Sequence, residues 1–483
     1  MFIASVAVAL GAFTAAPCNL EGGAPDFERE QKVECGWVAV PLAPGRAATI
    51  KLWTARIRAT GANRRDDPVV YINGGPGIAT IDSLLPGLKD SKTFALIRQE
   101  RDIILFDQRG SGRSEQALCP DLAKTLNSIS GEGYEPSVEE ERNRSAYAAC
   151  RASVEAAGMS LADYTTSATV ADLELLRNAF GARSWNLLSI SYGSLVALHA
   201  MRTSPRAIRS VILNSPYPPN SVTWAEQASS AAAAYQAIDR ACAGQPKCVE
   251  RFGALMPKLE RTLARLEQSP IVDGDKRITG RRFADALWPL AVRSATVRFV
   301  PLAIDRAHSG DTGFIKAMVR AYASGDSFGG FSPAQAMAIS CHESGRTSAW
   351  FARARALFPA LVAASPDDSW DRMCMMFRPG FAEPSFFAPV ASAIPTLIYA
   401  GSLDAATPVI DGYQAMRFLD RATLVEVEGG AHGPMGLDDC TRGIARVFLD
   451  QPQIAPDTGC VSRRKPIEFA TDGLDELIAE ASQ

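Results

Sequence analysis

The segment Trp185-Asn-Leu-Leu-Ser-Ile-Ser191-Tyr-Gly-Ser places a serine between an apolar, strand-like run and a helical pattern over Leu195 to Met201. It is similar to the sharp turn G-x-S-x-G that raises a nucleophile above a sheet, with Ser189 where the first glycine usually stands. Small residues are needed there because the turn brings strand and helix backbones close together. A serine hydroxyl is a weak nucleophile at neutral pH, so it needs a base, usually a histidine oriented by a carboxylate. Four histidines are present. His199 falls within the helical pattern after the turn, where it reads as packed or on the surface. His308 sits in a helical stretch with no motif around it, and His342, in Cys341-His-Glu, reads as structural or site-lining. His432, in Glu428-Gly-Gly-Ala-His-Gly-Pro, lies on a glycine-rich loop after an apolar run and is the expected base. Asp404, in Tyr399-Ala-Gly-Ser-Leu-Asp-Ala-Ala-Thr-Pro, is the expected acid, with a turn or helix cap as its alternative role. Asn73-Gly-Gly-Pro-Gly77 offers backbone N–H groups, so the N–H of Gly75 and of Tyr192 are expected to hold an oxyanion. The chemistry these groups could do is acyl transfer to water through a covalent intermediate. No metal or organic cofactor is expected.

These residues must be positioned by a scaffold. Val33 to Leu42 and Ala48 to Arg58 alternate around Pro-Gly as an antiparallel hairpin would. Val69 to Ile72, Ile103 to Phe106, Trp185 to Ile190 and Ser210 to Leu213 are short apolar runs ending in Gly, Asp, Ser or Asn. Such runs read as strands buried on both faces of a mainly parallel sheet flanked by helices, an α/β fold with its functional groups at the C-terminal strand ends. From Pro216 to about Pro389 the strand signals give way to helical stretches such as Ala225 to Ala243, Arg251 to Glu267 and Phe314 to Ala323. Strand patterns resume over Pro395 to Ala400 and Thr423 to Val427. The expected organisation is a leader over residues 1–16, a first core part over 17–215, an inserted helical cap over 216–389 and a second core part over 390–483.

Composition narrows the setting. The chain has 483 residues, 47% hydrophobic and 21% charged, as a globular protein has. A net charge of -3 from 50 basic and 53 acidic residues offers no field for a phosphate backbone, so nucleic acid is not an expected partner. The run Met1 to Ala16 is apolar and ends in small residues, as a secretory signal does, although no Lys or Arg precedes it and an ordinary N-terminal strand is the alternative. Nothing after residue 16 is long and apolar enough to span a bilayer as a helix, so stable membrane insertion is not expected. Ten cysteines fit an oxidising compartment, secreted or periplasmic. Pairing neighbours gives Cys18 with Cys35, Cys119 with Cys150, Cys242 with Cys248, Cys341 with Cys374 and Cys440 with Cys460, although spacing alone leaves the connectivity open.

Several blocks together resemble the proline iminopeptidase and tripeptidyl aminopeptidase (TAP-like) branch of the α/β-hydrolases. Asn73-Gly-Gly-Pro-Gly is similar to that family's His-Gly-Gly-Pro-Gly, and Asp107-Gln-Arg-Gly-Ser-Gly-Arg-Ser114 to its Asp-Gln-Arg-Gly-x-Gly-x-Ser. Tyr164-Thr-Thr, Asp172-Leu-Glu-x-Leu-Arg177 and the contexts of Asp404 and His432 fit as well. Ser, Asp, His is the order this fold uses. The resemblance implies an α/β-hydrolase fold with a helical cap, a TAP-like C-terminal region, and removal of residues or short peptides from free N-termini. An aminopeptidase must hold the substrate ammonium, a charge that is costly to bury without a carboxylate. Glu343, and more weakly Glu226, are the expected acids, with solvated surface glutamates as the alternative. The expected partner is a peptide or small acyl substrate; the oligomeric state stays open. Two other readings remain: an esterase or lipase on the same machinery, and a binding protein that kept the fold without the chemistry.

Overall fold

The computed structural model describes residues 10–20, 26–115, 118–132, 135–221, 227–274, 276–322, 330–343, 353, 355–364, 368–377 and 379–481. The strands are β1 (Phe13–Ala15), β2 (Val33–Pro41), β3 (Thr49–Ile57), β4 (Val69–Ile72), β5 (Ile103–Phe106), β6 (Trp185–Ser191), β7 (Ile208–Pro216), β8 (Ile271–Asp273), β9 (Lys276–Ile278), β10 (Thr396–Gly401) and β11 (Ala422–Val427). Nine of them form one sheet in the order β1-β2-β3-β5-β4-β6-β7-β10-β11, and β8 and β9 form a separate hairpin. β1, β2 and β3 are antiparallel, β3 meets β5 antiparallel, and every pairing from β5 to β11 is parallel.

Burial explains the parallel block. All four residues of β5 are buried, as are all six of β10, because helices cover both faces of the sheet. A one-residue slip of such a strand would displace every side chain to the opposite face, so the apolar runs also fix the register. The chain therefore has the α/β-hydrolase architecture expected from its sequence, with the hairpin Val33–Pro41 and Thr49–Ile57 at one side.

Part of the expected leader has a place in this sheet. Phe13–Ala15 is edge strand β1, paired with β2, and the Cys18–Cys35 disulfide follows it directly; residues 1–9 lie outside the described residues. All five disulfides join neighbours in sequence: Cys18–Cys35, Cys119–Cys150, Cys242–Cys248, Cys341–Cys374 and Cys440–Cys460. No helix among the described residues is long and apolar enough to cross a membrane.

Between β7 and β10 the described segments are largely helical, from Gln227–Ala243 to Asp368–Phe377. The stretch expected as one helix over Arg251 to Glu267 is two, Pro246–Phe252 and Leu255–Gln268. Gly253, at φ 61°, leaves the helical region and turns the chain between them. These helices share one apolar core in which Ile238, Leu259, Phe283, Leu290 and Ile315 join Leu403, Ala405 and Ala431 from the loops after β10 and β11. Leu474 and Ile478 of the C-terminal helix Leu474–Ala481 enter the same core. Each such large side chain contributes about 1.5–3 kcal/mol of burial, so the helical layer is cemented to the loops that carry Asp404 and His432.

Candidate functional site

Six segments leave the C-terminal ends of the parallel strands and converge on one edge of the sheet. Asn73 follows β4, Asp107 follows β5, Ser191 ends β6, Ser215 lies near the end of β7, Asp404 follows β10 and His432 follows β11.

Ser191 has φ 54° and ψ −130°, a conformation costing about 1–3 kcal/mol for a residue with a Cβ. The neighbours hold it there. The Ser194 hydroxyl donates to the Ser191 carbonyl (2.5 Å) and accepts the Tyr217 N–H (2.6 Å), tying the turn to the chain leaving β7. Gly193 is required: a Cβ there would stand 2.1 Å from the Ile72 carbonyl oxygen. Ser189, the departure from the usual glycine, is buried, and its hydroxyl donates to the Ile212 carbonyl (3.0 Å). The extra polar atom is thus satisfied within the sheet. Tyr192 opens the helix Tyr192–Thr203, so its N–H belongs to the first helical turn, where amides lack intrahelical acceptors.

The loop Asn73 to Gly77 faces this turn. Gly75 has φ 108°, and its N–H makes no backbone hydrogen bond among the described residues. The Asn73 carboxamide oxygen accepts the Gly74 N–H (2.8 Å), and the Asn73 carbonyl accepts from Gln108 Nε2 (3.0 Å). The Asp-Gln-Arg block is what braces the loop. Asp107, fully buried, accepts the N–H groups of Ile81 and Arg113, both at 2.9 Å. Burial pushes its carboxyl up to about 7, against these hydrogen bonds. Arg109 forks onto both oxygens of buried Asp172 at 2.6 and 2.8 Å and donates to the carbonyls of Leu42 and Asp163.

The acid and the base meet. His432 Nδ1 lies 3.0 and 2.9 Å from the two oxygens of Asp404. A carboxylate only accepts, so Nδ1 carries the hydrogen and Nε2 keeps the lone pair. Asp404 also accepts from the N–H groups of Ala406 and Thr407 and the hydroxyls of Thr407 and Ser215, at 2.7–3.0 Å. Burial alone would raise its carboxyl, but the His432 ring and these donors outweigh it and hold the acid below its ordinary value.

Sequence reasoning missed three supports of this pair. Ser215, itself at φ 57°, links the two loops by accepting the Gly433 N–H (2.8 Å) while donating to Asp404. The His432 N–H donates to the Val292 carbonyl (3.1 Å) and the Ala431 N–H to Ser294 Oγ (3.0 Å), so the end of helix Gly280–Val292 clamps the histidine loop. Nothing local in the sequence marks these contacts, which join positions 137 or more residues apart.

Glu343, expected as a substrate anchor, is buried at the end of helix Pro333–Glu343. Its oxygens accept the N–H (2.7 Å) and the hydroxyl (2.6 Å) of Thr166, which in turn accepts from the Tyr192 hydroxyl (2.8 Å). It is therefore not a solvated surface group. Burial pushes its carboxyl up to about 8, the two Thr166 hydrogen bonds only partly opposing this. Glu226 lies outside the described residues. His199 is buried and stacks on Phe386 at 4.1 Å, and His308 lies 3.4 Å from the Thr262 hydroxyl.

Comparison with known proteins places this geometry. Residues 67–240 match the family model described as alpha/beta hydrolase fold, and residues 362–460 match that of TAP-like protein. A tripeptidyl aminopeptidase of Streptomyces lividans is 27% identical over 214 residues, 43% of this chain and 40% of that protein. A probable proline iminopeptidase of Streptomyces coelicolor is 28% identical over 155 residues, 32% of this chain and 34% of that protein. The match thus spans less than half the length of these relatives. Among solved structures, the proline iminopeptidase of Mycobacterium smegmatis is 16% identical, covering 87% of this chain and 100% of that chain with a TM-score of 0.43. By its sheet and by these two family matches, the chain is an α/β-hydrolase carrying a TAP-like region.

Proposed function

We propose that the chain is a secreted or periplasmic serine aminopeptidase that releases residues or short peptides from free N-termini. Ser191 attacks the substrate carbonyl while His432 Nε2 takes its proton, and Asp404 holds the imidazolium that forms. The tetrahedral oxyanion is met by the N–H groups of Gly75 and Tyr192, which are fixed before the substrate arrives. His432 then returns the proton to the departing amine, and water attacks the acyl-enzyme by the same route in reverse. The observation that carries the hydrolytic part is the Asp404–His432 pair, its tautomer fixed, on the same edge of the sheet as a serine held in a strained turn.

The aminopeptidase part rests on Glu343. It is a buried carboxyl group that accepts two hydrogen bonds from Thr166, and burial pushes it up to about 8. Such a group gains most from an arriving ammonium, which would hold it ionised. The names of the relatives point the same way. The described helices between residues 216 and 389 serve as the cap over the site, and the five disulfides support an oxidising compartment.

The test is a panel of aminoacyl and tripeptidyl nitroanilides with free and acetylated N-termini, with Ser191→Ala as the blank. Ser191-dependent cleavage confined to free amines is the expected result, and the preferred length separates single-residue from tripeptide release. Hydrolysis of short esters without amide cleavage would replace the proposal by an esterase; silence on both would leave a binding protein.

A further inference from the structure

The edge of the sheet opposite Ser191 carries a second concave site. Its cavity, about 600 Å³, is lined by Arg56 near the end of β3, by Arg64 to Pro68 leading into β4, by Phe180 to Ser184 leading into β6, and by Arg209 at the start of β7. It therefore faces the N-terminal strand ends, separated from the Ser191 edge by the length of β6, seven residues or roughly 20 Å.

Charge sets this site apart from an ordinary surface. Asp102, nearly inaccessible, accepts from Arg56 at 2.7 Å and from Arg64 at 3.0 Å, with Arg58 also at 3.6 Å. Asp67 is shared by Arg101 and Arg209, both at 3.1 Å. Asp450 is shared by Arg101, Arg446 and, more distantly, Arg65. Glu34 pairs with Arg58, and Glu100 with Arg65 and Arg446; of this network Arg56, Arg64, Arg65, Arg209 and Asp67 line the cavity. Arg183 and Asp66, both exposed, line it as well, so five arginines face two carboxylates there. The guanidiniums are also pre-aimed: Arg209 is held by the carbonyl of Leu449 and the carboxamide oxygen of Asn186, and Arg56 by Asp102. Planar donors held in place by their own partners suit the two oxygens of a carboxylate or phosphate. Phe180 and Pro68, both half-buried, add an apolar wall.

We propose that this cavity binds a small organic anion, which presents a carboxylate or phosphate to the arginines and an apolar body to Phe180 and Pro68. Its size suits a ligand of drug-like dimensions, and the site stands apart from the proposed catalytic groups. Binding here does not depend on the activity proposed for Ser191.

Calorimetry on the whole protein with benzoate, phenyl phosphate, inorganic phosphate and benzylamine, at matched ionic strength, tests the proposal. Benzoate or phenyl phosphate, whichever the arginines prefer, is expected to bind below about 10 mM and to raise the unfolding temperature in proportion to occupancy. Arg64→Gln combined with Arg183→Gln, both exposed positions, is expected to weaken binding at least about tenfold while leaving the ligand-free unfolding temperature within a few degrees. Should neither aromatic anion bind, or should the double variant bind as well as the parent, the site does not exist. Equal affinity for inorganic and phenyl phosphate would overturn the apolar part of the proposal, and binding of benzylamine would overturn its charge.

Discussion

Glu343→Gln separates the two jobs assigned to this buried acid. The wild-type carboxyl releases its proton near pH 4.5 in the unfolded chain, but burial holds it on the protein up to about 8 in the folded one. Between these values the folded state binds the extra proton, so the stability this group contributes is full below about pH 4.5 and is lost as the pH rises towards 8. At about 1.4 kcal/mol per pH unit, the whole interval is worth on the order of 5 kcal/mol. The carboxamide of the Glu343→Gln variant would keep the shape of the protonated acid without its titration, so the variant should gain on wild type steadily from pH 5 to 8. Asp107, pushed up to about 7 by burial, imposes the same slope on both proteins and cancels in the difference. Urea unfolding at four pH values across this range measures it. Parallel stability curves for the two proteins would refute the buried, proton-holding state of Glu343. The same preparation tests the anchor role: kcat/KM should fall for free-amine nitroanilides and stay unchanged for any acetylated substrate that is cleaved.

The remaining predictions concern the turn, the acid, the brace and a disulfide. Ser191→Ala and His432→Ala should each lower kcat by roughly 10⁴–10⁶ on the preferred nitroanilide, and Asp404→Asn by roughly 10⁴, with circular dichroism unchanged. Gly193→Ala, whose Cβ would stand 2.1 Å from the Ile72 carbonyl oxygen, should abolish titration of Ser191 by a fluorophosphonate because the turn must open. Asp172→Asn leaves the Arg109 charge buried and uncompensated, which should cost about 3–5 kcal/mol in urea unfolding. Replacing both Cys341 and Cys374 by Ala removes a bridge between positions 33 apart, worth roughly 3–4 kcal/mol by chain entropy, and an unchanged unfolding midpoint would show that the bridge restrains nothing.

What the sequence made legible was set by range. Short apolar runs buried on both faces announce themselves locally, so β4 and β5 fall where the residue pattern puts them, Val69–Ile72 and Ile103–Phe106. The brace around the Asn73 loop was visible only as two separate blocks, Asp107 to Ser114 and Asp172 to Arg177; its physical content, a buried Asp107 and an Arg109–Asp172 pair, needs partners 26 and 63 residues apart. β1 was legible only as the alternative to an export signal, because a three-residue edge strand shares its apolar character. The Val292 and Ser294 clamp on the histidine loop escaped because neither a backbone carbonyl nor a single serine hydroxyl carries a sequence signature of so distant a partner.

The same limit shapes the arrangement of the proposed site. The Ser191 turn and the Asn73 loop are built from the first part of the sheet, whereas the Asp404–His432 pair stands on loops whose apolar side belongs to the core of the helical layer, through Leu403, Ala405 and Ala431. Displacing that layer would therefore loosen the acid and base while leaving the nucleophile's strained turn intact. Ser215 spans the division, since it leaves β7 beside the turn and bonds both Asp404 and the histidine loop. Ser215→Ala removes a charge-assisted bond to Asp404 and leaves the Gly433 N–H without its acceptor, a loss of about 1.5–3 kcal/mol. If the layer and the sheet are coupled through this hydroxyl, kcat should fall roughly 10- to 150-fold with little change in fluorophosphonate access to Ser191. A variant whose KM alone changes would place the coupling elsewhere.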